Sequence, residues 1–147
     1  MTDTGLTVKT PWHLWLVGVI GLLWNGFGAT DFAMTVTMGD DWLRMMKMTD
    51  AQIAHMDGYP AWMYLVWFAG TWGAVIGAVL LLLRRRWAVH AFAVSLIGFL
   101  LSLVYAYLLS DASEVMGGMV VMNVVILAGC LFFLWYAFAM RKRGVLR

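Results

Sequence analysis

The sequence predicts an all-α polytopic membrane protein, with four transmembrane helices in an antiparallel bundle and a short interfacial helix outside it. The first observation is a set of four apolar stretches without Asp, Glu, Lys or Arg, at about 12–29, 61–83, 87–109 and 115–140. Each has close to the ~20 residues that a helix needs to cross ~30 Å of hydrocarbon. The second observation is composition: 63% of the chain is hydrophobic and 12% is charged, against about 25% charged in soluble proteins.

The third observation is the distribution of charge, which predicts an orientation. Arg44 and Lys47 lie in the first connection, and the other basic residues fall on the opposite side of the four-span threading: Lys9, Arg84, Arg85, Arg86, Arg141, Lys142, Arg143 and Arg147. Short connections rich in Lys and Arg stay in the cytoplasm. We therefore expect a multi-pass membrane protein with both termini cytoplasmic and an acidic outer face.

Residues 1–147 are predicted to form a single transmembrane domain. The longest segment outside the spans, 30–60, is too short for a core of its own. The net charge of +2 averages a basic side and an acidic side, so it does not indicate nucleic-acid binding. Cys130 is the only cysteine, which rules out an intrachain disulfide. Residues 1–10 lack the pattern of a secretory signal, so we expect the first helix to be retained.

The helix entries and connections follow from proline and charge. Pro11 and Pro60 stand where the first two spans begin, positions at which proline is tolerated. No proline lies inside a span, which predicts unbroken helices. Arg84–Arg86 joins the second span to the third, and residues 110–114 join the last two, so each pair should form a tight hairpin. The two halves share features that leave a duplication open.

The outer capping segment, 30–60, is predicted to contain one or two short helices. Thr49 and Gln52 have the spacing of a capping box, and Gly58 provides a stop, which together indicate a helix from about 50 to 57. Upstream, apolar and charged residues mix as in an interfacial helix. The methionines of this segment and His55 are suitable ligands for Cu(I). Methionine is equally a flexible apolar filler, and no metal site is predicted.

Four residues are candidates for a polar pocket: Asn25, Asp31, Trp24 and Asn123. Polar groups within a membrane are costly, and such a pocket would open outward. The alternative is structural, because an amide can bond to the backbone of a neighbouring helix while Asp31 lies in water at the end of its span. His13 and His90, near the cytoplasmic interface, could form a proton relay only if they were adjacent.

Small residues indicate close helix packing. Gly18 and Gly21 share a helix face with Asn25, and Ala69, Gly73 and Gly77 form a small-xxx-small stripe on the second span. The stripe does not show whether its partner is internal or another subunit. The two basic runs, Arg84–Arg86 and Arg141–Lys142–Arg143, are expected to fix the topology and to attract anionic lipid head groups.

Two groups of residues resemble a set of small uncharacterised bacterial inner-membrane proteins of an alphaproteobacterial type. The first is Pro11, Trp12, His13, Leu14 and Trp15, followed by Leu23, Trp24, Asn25, Gly28, Ala29, Asp31 and Phe32. The second is Gly58, Tyr59, Pro60, Ala61 and Trp62, with the Leu-rich run into Arg84–Arg86. The resemblance covers about the first two-thirds of the chain. Members are often labelled "sugar transporter". The resemblance therefore implies this topology, a location in a bacterial inner membrane, and transport.

Two functions therefore compete. No nucleophile–base pair, zinc motif, phosphate loop or dinucleotide fingerprint occurs, so neither an enzyme nor a cofactor is predicted. The first function is an accessory or scaffold subunit that packs, within the lipid bilayer, against other membrane subunits or itself. The alternative is a small-solute carrier of the sugar type, acting as a homo-oligomer around the candidate polar pocket. Four uninterrupted helices lack the broken helices found in many carriers.

Overall fold

A computed structural model describes residues 7–147, and within this range the chain is helical without strands. The helices are α1 (Trp12–Met38), α2 (Asp40–Met45), α3 (Asp50–Asp57), α4 (Ala61–Leu82), α5 (Trp87–Val104), α6 (Ala112–Val115) and α7 (Val120–Lys142). A π-helical turn, Tyr105–Leu109, extends α5, and a 3-10 turn, Gly117–Met119, precedes α7. Four of the helical segments are long and apolar enough to cross a membrane. The all-α prediction is confirmed, and so is the prediction of four helices with the length and apolarity of membrane spans.

The first helix is longer than the sequence pattern indicated. The apolar stretch ends near residue 29, yet α1 continues to Met38 and ends at Gly39, whose φ is +59°. The hydroxyls of Thr30, Thr35 and Thr37 donate to carbonyls one turn earlier. Those bonds satisfy the polar side chains within the helix. The outer capping segment is therefore shorter than the predicted 30–60, because its first nine residues belong to α1.

The short outer helix forms where it was predicted. Thr49 Oγ1 accepts a hydrogen bond from the backbone N–H of Gln52, and Gln52 Oε1 accepts one from the backbone N–H of Thr49. Both halves of the capping box are therefore present at the start of α3. Leu43 from α2 and Ile53 and Met56 from α3 are buried together. The buried side of α2 and α3, which together we call the cap, is therefore apolar, and Met56 is part of this packing.

The closest approach between long helices is that of α4 and α5. A Cβ on Gly98 would lie 2.9 Å from the backbone nitrogen of Gly70, and one on Gly73 would lie 3.4 Å from the Ala91 carbonyl oxygen. Ser95 Oγ donates to the Gly70 carbonyl at 2.6 Å. Because glycine has no side chain, the two backbones can touch here. Gly73 therefore packs against a helix of its own chain.

α1 and α7 complete the packing around this pair. A Cβ on Gly18 would meet the Leu82 side chain of α4, and one on Gly21 would meet the Phe133 ring of α7 at 2.7 Å. Phe133 in turn stacks on Phe92 of α5, with ring centroids 5.6 Å apart. α4 contacts both α1 and α5 extensively, while α7 packs chiefly against α5.

The main core lies at the end of the molecule that carries the Arg84–Arg86 turn, the start of α1 and the end of α7, which we call the basic end. Its buried residues are Leu14, Ala78, Leu81, Ala88, Phe92, Phe133, Tyr136, Ala137, Met140, Val145 and Leu146. The last two follow α7, and they place Arg147 beside the α4–α5 turn. The opposite end, with α2, α3 and α6, is the acidic end.

Candidate functional site

In the described part of the chain, none of the hydrogen bonds found joins any two of the four predicted pocket residues. Asp31 Oδ1 accepts from Trp42 Nε1 at 2.9 Å, which ties α1 to α2. Asn123 Nδ2 donates to the Tyr107 hydroxyl at 3.2 Å, across α7 and the end of α5. Trp24 is 46% exposed. Among the hydrogen bonds of residues 7–147, none joins Asn25 to Asn123.

Asn25 is the member of this set with an unusual environment. Its neighbours on the same face of α1 lie against two other helices, Gly21 against Phe133 of α7 and Gly28 near Thr71 of α4. The Asn25 Nδ2 atom is enclosed and has no hydrogen-bond partner in the described part of the chain. An unpaired amide donor inside an apolar interior costs free energy, about 1–3 kcal/mol. Because the Nδ2 atom is enclosed, the side chain has to move before a group outside the chain can bond to it.

At the acidic end, α3 covers a cleft that the sequence did not reveal. The cleft has a volume of about 500 Å³ and is lined by residues of α3 and of the α5–α7 connection: Ala51, Ala54, His55, Gly58, Tyr105, Leu109, Ser110, Asp111 and Val115. His55 Nδ1 lies 3.0 Å from Asp111 Oδ1. The contact links two distant parts of the chain, so no local motif could have identified it.

The two partners of this contact differ in burial. The His55 side chain is only 8% exposed, whereas that of Asp111 is 70% exposed. The His55 ring packs edge-on against Tyr59, and Tyr59 packs against Tyr105, with both centroid distances 5.5 Å. Burial raises the pKa of Tyr59 above its ordinary value of 10.0, and the neighbouring Tyr105 and Tyr64 raise it further. Tyr59 is therefore held neutral beneath the cap.

The residues of the cleft connect α3 to neighbouring segments. Within the described residues no group of three or more His, Cys, Asp or Glu side chains could hold a metal ion. What the cleft does contain is an aromatic layer beneath α3 and one imidazole–carboxylate contact at its rim. This arrangement can hold the cap against the long helices.

A second groove lies between α1 and α4 nearer the acidic end. It has a volume of about 570 Å³ and is lined by Phe32, Thr35, Val36, Tyr64, Leu65 and Phe68. The lining is mostly apolar, and Leu65 is 71% exposed. The groove therefore opens sideways, toward the surface that lipid would cover.

The histidines near the basic end have different neighbours. His13 Nδ1 forms a hydrogen bond with the Tyr136 hydroxyl, joining the start of α1 to α7. His90 is exposed, and its ring lies 5.0 Å from that of Trp87. The structure thus gives His13 a phenol partner and leaves His90 on the surface, with no contact between the two imidazoles.

Comparison with protein families, curated proteins and solved structures gives no match to this chain.

Proposed function

We propose that the protein is an accessory or scaffold subunit of a membrane assembly. In this proposal the four long helices form an antiparallel bundle in a bacterial inner membrane, with both termini in the cytoplasm. The basic end then lies inside, as expected for short Lys- and Arg-rich connections. The acidic end, with the cap α2–α3, lies outside.

The observation that carries the proposal is the exposure of α7. In the most apolar 18-residue stretch of this helical segment, only 6% of the residues are buried. The corresponding stretches of the other three long helices have 17–22% of their residues buried. Val121 and Val124 in its first turns are 73% and 62% exposed. A helix held on one side only presents a long free face to another membrane helix.

A polar residue within this free part of α7 supports the same assignment. Asn123 lies between the two exposed valines in sequence, and its one hydrogen bond among the described residues goes to the Tyr107 hydroxyl of the same chain. An amide in lipid gains from additional hydrogen bonds, and such bonds join helices of different subunits. The start of α7 therefore offers apolar contact to a partner helix, and the rest of the hydrogen-bonding capacity of the Asn123 amide could join that contact.

Site-specific photo-crosslinking in the native membrane tests the proposal. A photoreactive residue at Val124 should give a defined protein adduct, which mass spectrometry after mild-detergent extraction would identify. The same residue at Leu65 of α4, with similar exposure, is the matched control and should give none. Equal labelling at both positions, or recovery of a lone monomer, would contradict the accessory role.

The second candidate is a small-solute carrier of the sugar type, working as a homo-oligomer. It is favoured by the unpartnered amide of Asn25 within α1, since the donor lacks a hydrogen bond that a solute hydroxyl would provide. In this candidate a side-chain rearrangement first exposes the enclosed amide to the solute. Asn25→Leu should then abolish uptake into proteoliposomes while leaving the amount of folded protein unchanged. Thr30→Val is the control, because that hydroxyl bonds only to the Gly26 carbonyl. Uptake that survives Asn25→Leu would exclude this candidate.

A further inference from the structure

Small residues of α3 leave space for the cleft at the acidic end. Ala51, Ala54 and Gly58 line the cleft, and they recur at the three- and four-residue spacing of one helix face. The opposite face of α3 carries Ile53 and Met56, which are buried in the cap. The helix thus packs its large apolar side chains inward and keeps its small ones at the cleft. The volume of about 500 Å³ falls within the range of small-molecule sites, roughly 300–1,000 Å³.

Another wall of the cleft is the π-helical turn that extends α5. Tyr105 and Leu109 are the first and last residues of this turn, and both line the cleft. The ring of Tyr105 has edge-on contacts with Tyr59 and Trp62, at centroid distances of 5.5 and 5.4 Å. Turns of this kind are rare and are frequent at functional sites. One wall therefore combines a fixed aromatic ring with an uncommon backbone conformation.

The polar groups of the cleft favour a positively charged ligand. Among the described residues that line it there is no Lys or Arg, and the exposed carboxylate of Asp111 lies at its rim. His55 Nδ1 contacts Oδ1 of this carboxylate, which leaves the second oxygen to another donor. Glu114, three residues later, is also exposed. Negative charge beside an aromatic wall attracts a cation, above all one with an apolar part.

The number of ligating groups distinguishes between kinds of cation. In the described part of the chain no three His, Cys, Asp or Glu side chains are grouped to hold a metal ion. An ammonium group needs fewer partners, since one carboxylate and an aromatic ring can bind it. Leu109 and Val115, which also line the cleft, suit an alkyl chain. We infer that the cleft binds a small organic amine in its protonated form, with the ammonium group beside Asp111.

Methyl NMR of the full chain in nonionic micelles tests the site, because Ala51 and Ala54 line it. The probes are butylammonium and 1-butanol, which share an alkyl chain and differ in charge. At about pH 8 an ordinary imidazole is neutral and does not compete for the carboxylate. Butylammonium should shift both alanine methyl resonances in a saturable way. 1-Butanol should bind about three- to fivefold more weakly, as expected for the loss of one exposed charge contact.

Two substitutions and a control separate a site from diffuse attraction. Asp111→Asn should weaken butylammonium binding about three- to fivefold, whereas Glu114→Gln removes the same charge from the same connection and should weaken it less than about twofold. Ala54→Leu fills the cleft without touching the His55–Asp111 contact, so it should abolish the saturable shift of the Ala51 methyl group. This variant remains informative if Asp111→Asn loosens the cap.

Several results would overturn the inference. The absence of a saturable shift, or equal affinity for 1-butanol, would mean that the cleft does not recognise an ammonium group. Equal weakening by Asp111→Asn and Glu114→Gln would mean diffuse electrostatics, and unchanged binding to Ala54→Leu would place the amine outside the cleft. Displacement of butylammonium by magnesium chloride, but not by sodium chloride of the same ionic strength, would assign the site to a metal ion.

Discussion

His55 and Asp111 lie 3.0 Å apart, nitrogen to oxygen, and join the short helix α3 to the connection between α5 and α7. The histidine is buried beneath the cap and the aspartate is at its rim. The pair links the segment between α1 and α4 to the segment between α5 and α7, and both segments lie at the acidic end. Its removal should therefore loosen the cap without disturbing the core at the basic end.

A double-mutant cycle measures this link. Because Asp111 is 70% exposed, solvent screens the interaction, and the coupling between His55→Gln and Asp111→Asn should be about 0.2–1 kcal/mol. The readout is the free energy of unfolding in mixed micelles, together with amide hydrogen exchange in α3. Glu114→Gln in the same connection is the control, and it should leave exchange in α3 unchanged. If His55→Gln and Asp111→Asn also leave amide exchange in α3 unchanged, as the control does, the contact does not hold the cap.

The close approach of α4 and α5 predicts a strong effect at Gly98. Gly98→Ala would place a Cβ 2.9 Å from the Gly70 nitrogen and 3.0 Å from the Val66 carbonyl oxygen. Backbone atoms cannot move away as a flexible side chain can, so the substitution should destabilise the protein by about 1–3 kcal/mol. The control is Gly26→Ala, which meets nothing within 4 Å and should cost nothing measurable. Similar stability of the two variants would contradict the packing described here.

The raised pKa of Tyr59 predicts how stability depends on pH in the alkaline range. Since burial and the neighbouring tyrosines disfavour the phenolate in the folded state, the unfolded chain loses this proton first as pH rises. The stabilisation from the raised pKa is fully present below the unfolded value near 10 and is lost as pH rises through the folded value. Tyr59→Phe keeps the ring and should remove this part of the alkaline decline. Unfolding curves of both proteins between about pH 8 and 11 measure it, and identical slopes would rule it out.

The end of the chain should contribute measurably to stability. Leu146 is 2% exposed in the main core, so Leu146→Ala should cost about 2–5 kcal/mol. Leu83→Ala, at the end of α4 where the side chain is 63% exposed, is the matched control and should stay within about 0.5 kcal/mol. Chemical unfolding of the two variants provides the comparison. A small loss for Leu146→Ala would mean that the segment after α7 is not anchored.

Features with local causes could be predicted from the sequence alone. The spans depend on runs of apolar residues, and α3 depends on Thr49, Gln52 and Gly58, which act within one or two turns of each other. The apolar span ends near residue 29 because hydropathy falls there, whereas α1 continues to Met38, with threonine hydroxyls satisfied by carbonyls of the preceding turn. Hydropathy marks where a membrane could end, and hydrogen bonding marks where the helix ends.

Tertiary structure decided which residues meet. Composition and spacing drew attention to Gly73, but only the packed helices show that Gly98 is the point where two backbones touch. In the same way, the bond from Asn123 to Tyr107, the contact of the buried His55 with Asp111 and the backbone bond between Arg147 and Arg84 join segments far apart in the chain. The sequence by itself determined the helices and the charge of each end, because those properties are local. The contacts between them required the fold, because each depends on how whole helices rotate and pack.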